Sequence, residues 1–286
     1  MEQENPIIID PEKCTRCGIC LSGCSGEVLV LEDTLKIIHP ERCISCGHCG
    51  ALCPEEALSS NPDRGKKAFR FIPFNSEWTE AQKLLKSKRS VRLFKTDPLT
   101  EEQIRGLIDA AEAAPSSTNR RNREYMVIQG DGKRDALQKE VLKYYKAVAR
   151  IARPGLLRFL DLFHRGSGGG LVKLRSDLLR LIQDCEGGND RIFRRAPAVV
   201  CIAGPKDTVQ SQEDALAAQQ YLMLYAKTLG IDSLIIGFAQ QAHGRVERFL
   251  KLPKGLRVYA VTVLGYGKLK YLRSITYPEP PIRWIQ

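Results

Sequence analysis

Eight of the ten cysteines lie in two runs of equal spacing, Cys14-x2-Cys17-x2-Cys20-x3-Cys24 and Cys43-x2-Cys46-x2-Cys49-x3-Cys53, the second closed by Pro54. This spacing holds a pair of 4Fe-4S clusters. Three cysteines in a tight loop reach three irons of one cubane, while the fourth stands on the following turn and points away, toward the other cluster. Cys14, Cys17, Cys20 and Cys53 are therefore assigned to one cluster, and Cys43, Cys46, Cys49 and Cys24 to the second. Zinc and disulfides are the plainer uses of cysteine. A zinc site takes four ligands, usually as two separated pairs, and two complete four-cysteine runs exceed that pattern. No basic start followed by an apolar stretch marks a leader for export to an oxidising compartment, so a cytoplasmic location is expected.

Between the runs, Val28 to Leu31 and Lys36 to Ile38 read as two short strands around Glu32-Asp33. With the repeated cysteines they suit a small, pseudo-symmetric module of the bacterial two-cluster ferredoxin type over residues 1–60. Such a module needs little apolar core, because its clusters cross-link the two halves. A chain of 286 residues leaves room for one further substantial domain. No apolar run approaches the roughly 20 residues that span a bilayer. Charge separates the two parts: residues 1–60 carry a net −6, so the rest carries +17 of the total +11. A basic domain can signal nucleic acid, but no helix-turn-helix, zinc finger or aromatic-basic motif is present, so no nucleic-acid partner is expected. An acidic electron-transfer module joined to a basic catalytic domain accounts for the split.

Proline, glycine and charge break all periodicity over residues 61–75, which read as a linker. The second domain is expected over residues 76–286. A helical pattern from Trp78 ends at Lys88-Arg89-Ser90-Val91-Arg92-Leu93-Phe94, three cations and a hydroxyl within five residues. Such a cluster can cradle a phosphate through charge-assisted hydrogen bonds. A new helix follows, with Ile104, Leu107, Ile108 and Ala111 on one face, then Ala114-Pro115-Ser116-Ser117-Thr118-Asn119 and a strand from Tyr125 to Ile128. Further on, Ala196-Pro197 opens the apolar strand Ala198 to Ala203, Asp214 to Leu229 reads as a long apolar helix, and Leu229-Gly230-Ile231-Asp232-Ser233 runs to Ile236-Gly237-Phe238. Leu264-Gly265-Tyr266 ends a strand, with Lys270 and Arg273 just beyond it.

The ordered pair of basic-Arg-Ser-x-Arg-x-Phe and Ala-Pro-Ser-Ser-x-Asn resembles the flavin-binding signature of the nitroreductase family, over about residues 76–275. With the cysteine runs, the whole chain resembles the ferredoxin-nitroreductase fusions. The resemblance implies an α+β fold and FMN held at a homodimer interface. It implies that Lys88, Arg89, Ser90 and Arg92 bind the phosphate and ribityl chain, with Arg273 as a further phosphate contact. Ser116, Ser117 and Asn119 would approach the flavin from the partner subunit, and Ile236 and Gly237 would offer backbone groups to the ring. The sequence departs from the family at Arg120-Arg121-Asn122-Arg123-Glu124, where Gln-Pro-Trp often follows the asparagine. That stretch bears on substrate contacts more than on flavin binding.

Residues 146–183 read as a helical insertion with a glycine hinge at Gly166 to Gly170, and the chain ends in a C-terminal extension. Eight Lys or Arg stand against two acids over the insertion, a composition that suits a lid or a packed helical pair better than a membrane surface. Cys185 and Cys201 lack ligand spacing and are expected as buried small hydrophobes. The four histidines form no cluster, and there is no Ser-His-Asp order, Walker loop or dinucleotide Gly-x-Gly-x-x-Gly.

These features predict an FMN-dependent oxidoreductase that takes electrons from its own two 4Fe-4S clusters and reduces nitro groups, quinones or similar small electron-poor acceptors. An external ferredoxin-type protein or NAD(P)H would serve as donor. Ene reduction and reductive dehalogenation are alternative chemistries for the scaffold, and a non-enzymatic electron carrier or redox sensor is the alternative role. No catalytic acid can be named from the sequence.

Overall fold

The computed structural model describes residues 5–63, 68–74, 77–152 and 170–285. It divides into two compact units, Met1–Lys88 with Lys268–Gln286, and Arg89–Gly267.

The first unit contains β1 (Ile7–Ile9), α1 (Ile19–Gly23), β2 (Leu29–Leu31), β3 (Leu35–Ile37), α2 (His48–Leu52), β4 (Leu58–Ser60), β5 (Arg70–Pro73) and α3 (Glu80–Ser87), joined by a C-terminal strand, Arg273–Thr276. β2 and β3 form the expected hairpin, and β1 pairs antiparallel with β4. The two cysteine runs share one backbone path. Positive φ recurs at equivalent places, Arg16 and Ser45, Gly18 and Gly47, Glu27 and Glu56, each pair offset by the same interval as the cysteines. Gly18 and Gly47 sit in the left-handed region immediately before α1 and α2, where a residue without Cβ turns the chain at no steric cost. The apolar core is small: Ile7, Val28, Leu29, Ala57 and Leu58 pack with Cys20, Cys49 and Cys53.

Residues 70–73, placed by composition in a linker, form β5, which pairs antiparallel with the C-terminal strand in the register Phe71↔Ile275 and Ile72↔Ser274. α3 also belongs to this unit, since Ser274 donates to the carbonyl of Lys86 at 2.9 Å. The physical reason is apolar burial: Phe69, Phe71, Tyr271 and Ile275 pack on Ala51 of α2. α3 itself starts at a capping box in which Thr79 and Gln82 exchange side-chain to backbone bonds.

The second unit is an antiparallel sheet with helices. Its elements are α4 (Glu101–Glu112), β6 (Glu124–Gln129), α5 (Asp131–Ile151), α6 (Gly170–Glu186), β7 (Ala198–Pro205), α7 (Ser211–Thr228), β8 (Asp232–Ile235), α8 (Gly237–Gln241), α9 (His243–Phe249) and β9 (Leu256–Gly265). The strand order is β6-β7-β9-β8. β7 reads as an unbroken apolar run because it is buried from Ala198 to Gly204. α4 opens on a Thr100–Gln103 capping box and turns Ile104, Leu107 and Ala111 inward. Those residues meet Leu222 and Met223 of α7 and Ile202 and Leu264 of the sheet in one core. The expected insertion is represented by the end of α5 and by α6; the glycine hinge and the apolar residues before it lie outside the described residues. Cys201 is fully buried in β7, and burial pushes its thiol up to about 12.

Gly50 of α2 is where β5 comes closest. A Cβ there would overlap the Phe71 ring and sit 2.8 Å from the Leu58 carbonyl oxygen. Gly50→Ala should therefore destabilise the first unit by about 1–3 kcal/mol, the usual cost of overpacking. A lowered melting transition for cluster absorbance is the expected result, and an unchanged one would show that β5 can move away freely.

Candidate functional site

The cysteines surround two cavities. One is lined by Cys24, Cys43, Cys46 and Cys49, together with His48 and Phe69. The other is lined by Cys14, Cys17, Cys20 and Cys53, together with Leu31, Leu35 and Leu58. Each cavity takes three cysteines from one run and the last cysteine of the other. Among the described residues, no three His, Cys, Asp or Glu side chains converge as they would on a single ion. Sulfurs spaced around a cavity suit a polynuclear cluster, whereas zinc draws its ligands to one point.

The same grouping appears in the electrostatics. Burial pushes the Cys20 thiol up to about 11, and the neighbouring Cys53 and Cys17 add to that shift. Burial also raises Cys49, reinforced by Cys46, Cys24 and Cys43. The crossing cysteines receive matching support: Val28 N–H donates to Cys24 Sγ at 3.5 Å and Ala57 N–H to Cys53 Sγ at 3.4 Å. Hydrogen bonds to cluster sulfurs are one of the levers that set reduction potential.

Arg273 lies in this unit. Its guanidinium donates to Glu56 at 2.8 Å, to the Gly50 carbonyl at 2.9 Å and to the Cys53 carbonyl. Strand pairing with β5 carries Arg273 into the first unit, where it clamps the Cys53 turn. Beside it, Tyr271 OH lies 3.0 Å from His48 Nδ1, with the two rings edge to face. Lys88 closes α3, its N–H donating to the Leu84 carbonyl, and ends the first unit.

In the second unit β8 organises the flavin signature. Ser90 bridges Ser233 in parallel, and Val91 N–H donates to the Ser233 carbonyl at 3.2 Å. Val91 and Phe94 are buried, which leaves Arg89, Ser90 and Arg92 partly exposed; Arg92 donates to the Ser90 carbonyl at 3.2 Å. Ile236 and Gly237 follow the other end of β8, roughly 10 Å along the strand from Ser233 at about 3.3 Å per residue. Ile236 N–H is committed to the Val261 carbonyl at 2.9 Å. Gly237 is exposed, and a Cβ there would meet nothing within 4 Å, so its backbone is the more accessible of the two.

The Ser116–Asn119 loop has separate supports. Ser117 N–H donates to Asp214 Oδ1 of α7 at 2.9 Å, and Arg121 N–H to Ser116 Oγ at 3.1 Å. Thr118, Asn119 and Arg121 all have positive φ, so the loop is held in a conformation that side chains resist. The holding group is Arg123, which composition alone does not single out. Its guanidinium lies 3.1 Å from Glu112, donates to the Ala114 carbonyl at 3.2 Å and reaches the Asp214 carbonyl at 3.4 Å. Tyr125 also donates to Glu112, at 2.6 Å; burial first, and that carboxylate second, raise its phenol. The departure from the Gln-Pro-Trp pattern thus installs a buried ionic clamp on the loop.

Residues 85–266 match the nitroreductase family, and the chain belongs to that family of flavin oxidoreductases. Residues 6–54 match the 4Fe-4S dicluster domain. Among curated relatives, the nitroreductase NfnB of Mycolicibacterium smegmatis is 29% identical over 215 residues, 69% of this chain and 81% of that protein. Among solved structures, a nitroreductase with bound FMN from Bacteroides fragilis is 17% identical with a TM-score of 0.54, covering 73% of this chain and 100% of that one. The FMN-dependent NfnB from Mycobacterium smegmatis in complex with NADPH is 23% identical with a TM-score of 0.51, covering 72% and 98%. These two structures show a shared fold.

Two substitutions test the geometry. Cys24→Ala should remove the cluster otherwise ringed by Cys43, Cys46 and Cys49, lowering iron and labile sulfide by about half. Loss of only the other cluster would overturn the crossed assignment. Arg123→Ala removes one partner of a buried ion pair, which costs roughly 3–5 kcal/mol, with the lower end expected because Glu112 is partly exposed. Denaturant unfolding followed by circular dichroism measures it, and a change below about 1 kcal/mol would mean that the clamp is not what holds the loop.

Proposed function

We propose that the chain is an FMN-dependent oxidoreductase that draws electrons from its two 4Fe-4S clusters and reduces nitro groups, quinones or similar electron-poor small molecules. The observation that carries this reading is the pair of four-cysteine cavities in a chain whose other unit is a nitroreductase. Iron-sulfur clusters supply single-electron transfer, and a flavin pairs electrons for two-electron reduction.

The chain's own residues fit these groups. The eight cysteines supply two complete ligand sets. Arg89, Ser90 and Arg92 offer a phosphate two guanidinium groups and a hydroxyl from a segment pinned to β8, while the Gly237 backbone at the far end of that strand suits the ring. Lys88 adjoins the same segment. A homodimer accounts for two further features. α7 buries Leu222 and Met223 yet also exposes Tyr221 and Tyr225, and Leu229 just beyond it is exposed too. A helix that is apolar on opposite sides needs a cover for the second. Ser116, Ser117 and Asn119 sit on a loop anchored to that same helix by Asp214, which supports a role for them toward a flavin of the second copy.

A ferredoxin-type protein would feed the clusters, and NAD(P)H would reduce the flavin directly; NADPH is the nucleotide in the NfnB complex. Among the described residues no helix is long and apolar enough to cross a membrane, in keeping with the cytoplasmic location we propose.

The test compares full-length protein carrying both clusters and FMN with protein stripped of iron by a chelator but still holding FMN. With a nitroaromatic acceptor, the stripped form should lose most of the rate driven by a reduced ferredoxin and keep the rate driven by NADPH. Equal ferredoxin-driven rates would leave the clusters without a part in turnover. No turnover of any acceptor by the complete protein would favour an electron carrier.

A further inference from the structure

The turn that leads into β7 holds a guanidinium whose Nε has no hydrogen-bond partner among the described residues. Ile192 and Phe193 are fully buried, and Arg194 and Arg195 follow with φ of 60° and 51°. The turn is fixed by Asp190, whose carboxylate accepts from the backbone N–H groups of Ile192 at 3.0 Å, Phe193 at 2.8 Å and Arg195 at 2.9 Å. Asp190 also accepts from the Gln138 amide at 3.0 Å. Two consecutive left-handed residues after a buried anchor give Arg194 one direction rather than many.

Arg194 is largely buried, and its Nε is closed to water with no hydrogen-bond partner among the described residues. The turn and the Arg89–Phe94 segment meet at the end of β9, where a Cβ on Gly265 would touch both Pro197 and Phe94. Arg191 and Arg92 repel the Arg194 guanidinium, and with burial as the larger cause they bring its pKa down to about 10. The carboxylates nearby are engaged elsewhere: Asp190 holds the turn, and Asp184 takes Arg191 at 2.8 Å. A buried charge without a partner is costly, and a buried cation beside two others is costlier. Such an arrangement is stable when an anion completes it, and guanidinium groups are suited to phosphate.

We propose that Arg194 is a ligand of the FMN phosphate, completing with Arg92 an anion site that joins the β7 turn to the segment pinned along β8. This rests on the FMN reading above and adds a residue from outside the flavin signature. The ligand class is a phosphate monoester, and the selectivity it gives is for FMN over riboflavin.

The experiment measures FMN and riboflavin binding to the full-length wild type and to Arg194→Gln, Arg194→Lys and Arg195→Gln. In Arg194→Gln, FMN affinity should fall by at least tenfold, with riboflavin affinity unchanged. Arg194→Lys should recover part of the loss, because it keeps the charge without the planar fork. Arg195→Gln should behave as wild type, since Arg195 is exposed and donates to the Gly188 carbonyl. Equal loss of both flavins, or no loss of either, would overturn the proposal. If Arg194→Gln does not fold, Arg194→Lys decides: a weaker FMN complex with riboflavin unaffected supports the phosphate contact, and unaltered FMN binding refutes it. Failure of the wild type to bind either flavin would instead remove the FMN reading itself.

Discussion

Each half of the first unit depends on a cysteine from the other half. Cys24 completes the cavity of the second run and Cys53 that of the first, so neither site can be built by its own loop. The repeated left-handed residues, the glycines before α1 and α2 and the N–H to sulfur bonds at Val28 and Ala57 all serve that exchange, since each delivers a sulfur to a fixed place. A core of five small and medium apolar side chains could not hold two halves together unaided. Cluster binding and folding are therefore coupled in this unit, as they are in other small metal-stabilised domains.

The same unit gains a layer from far along the chain. β5 and the C-terminal strand cover α2 with Phe69, Phe71, Tyr271 and Ile275, and Leu272 N–H donates to the Ala51 carbonyl at 2.9 Å. Arg273 arrives with that strand, and three acceptors fix its guanidinium at the Cys53 turn. A cation is thereby fixed at the carbonyl of Cys53, on the turn that presents the last sulfur of the second run.

Legibility followed the range of the interaction. The cysteine spacing, the β2–β3 hairpin, α4 with its inward Ile104 and Leu107, and the apolar runs of β7 and α7 are local patterns, and local patterns survive in one dimension. The pairing of Phe71 with Ile275 does not, because a four-residue strand flanked by proline and charge has no periodicity to show and its partner lies some two hundred positions away. Arg123 and Arg194 were hidden for another reason. An arginine in a basic stretch looks like solvated surface, and only the tertiary structure shows that Arg123 is buried and that the Nε of Arg194 is closed to water. The departure from Gln-Pro-Trp was the one available signal for Arg123; Arg194 had none beyond its place before Ala196-Pro197.

The excess positive charge of the later chain therefore has an inner component. Three arginines of the second unit illustrate it. Arg134 lies within 3.0 Å of both Asp131 and Asp135, and Arg123 lies 3.1 Å from Glu112. Each of these carries its own carboxylate, and each ties an element to its neighbour: Arg134 to the Ala196 carbonyl, Arg123 to the end of α4. Arg194 has no such carboxylate, although Asp190 stands close by, because that side chain is spent on backbone N–H groups. A merely structural turn gains nothing from a guanidinium there, since a neutral side chain would fill the space without the desolvation cost. On the proposal made above, the group that completes this position comes from outside the chain, from the side of Arg92.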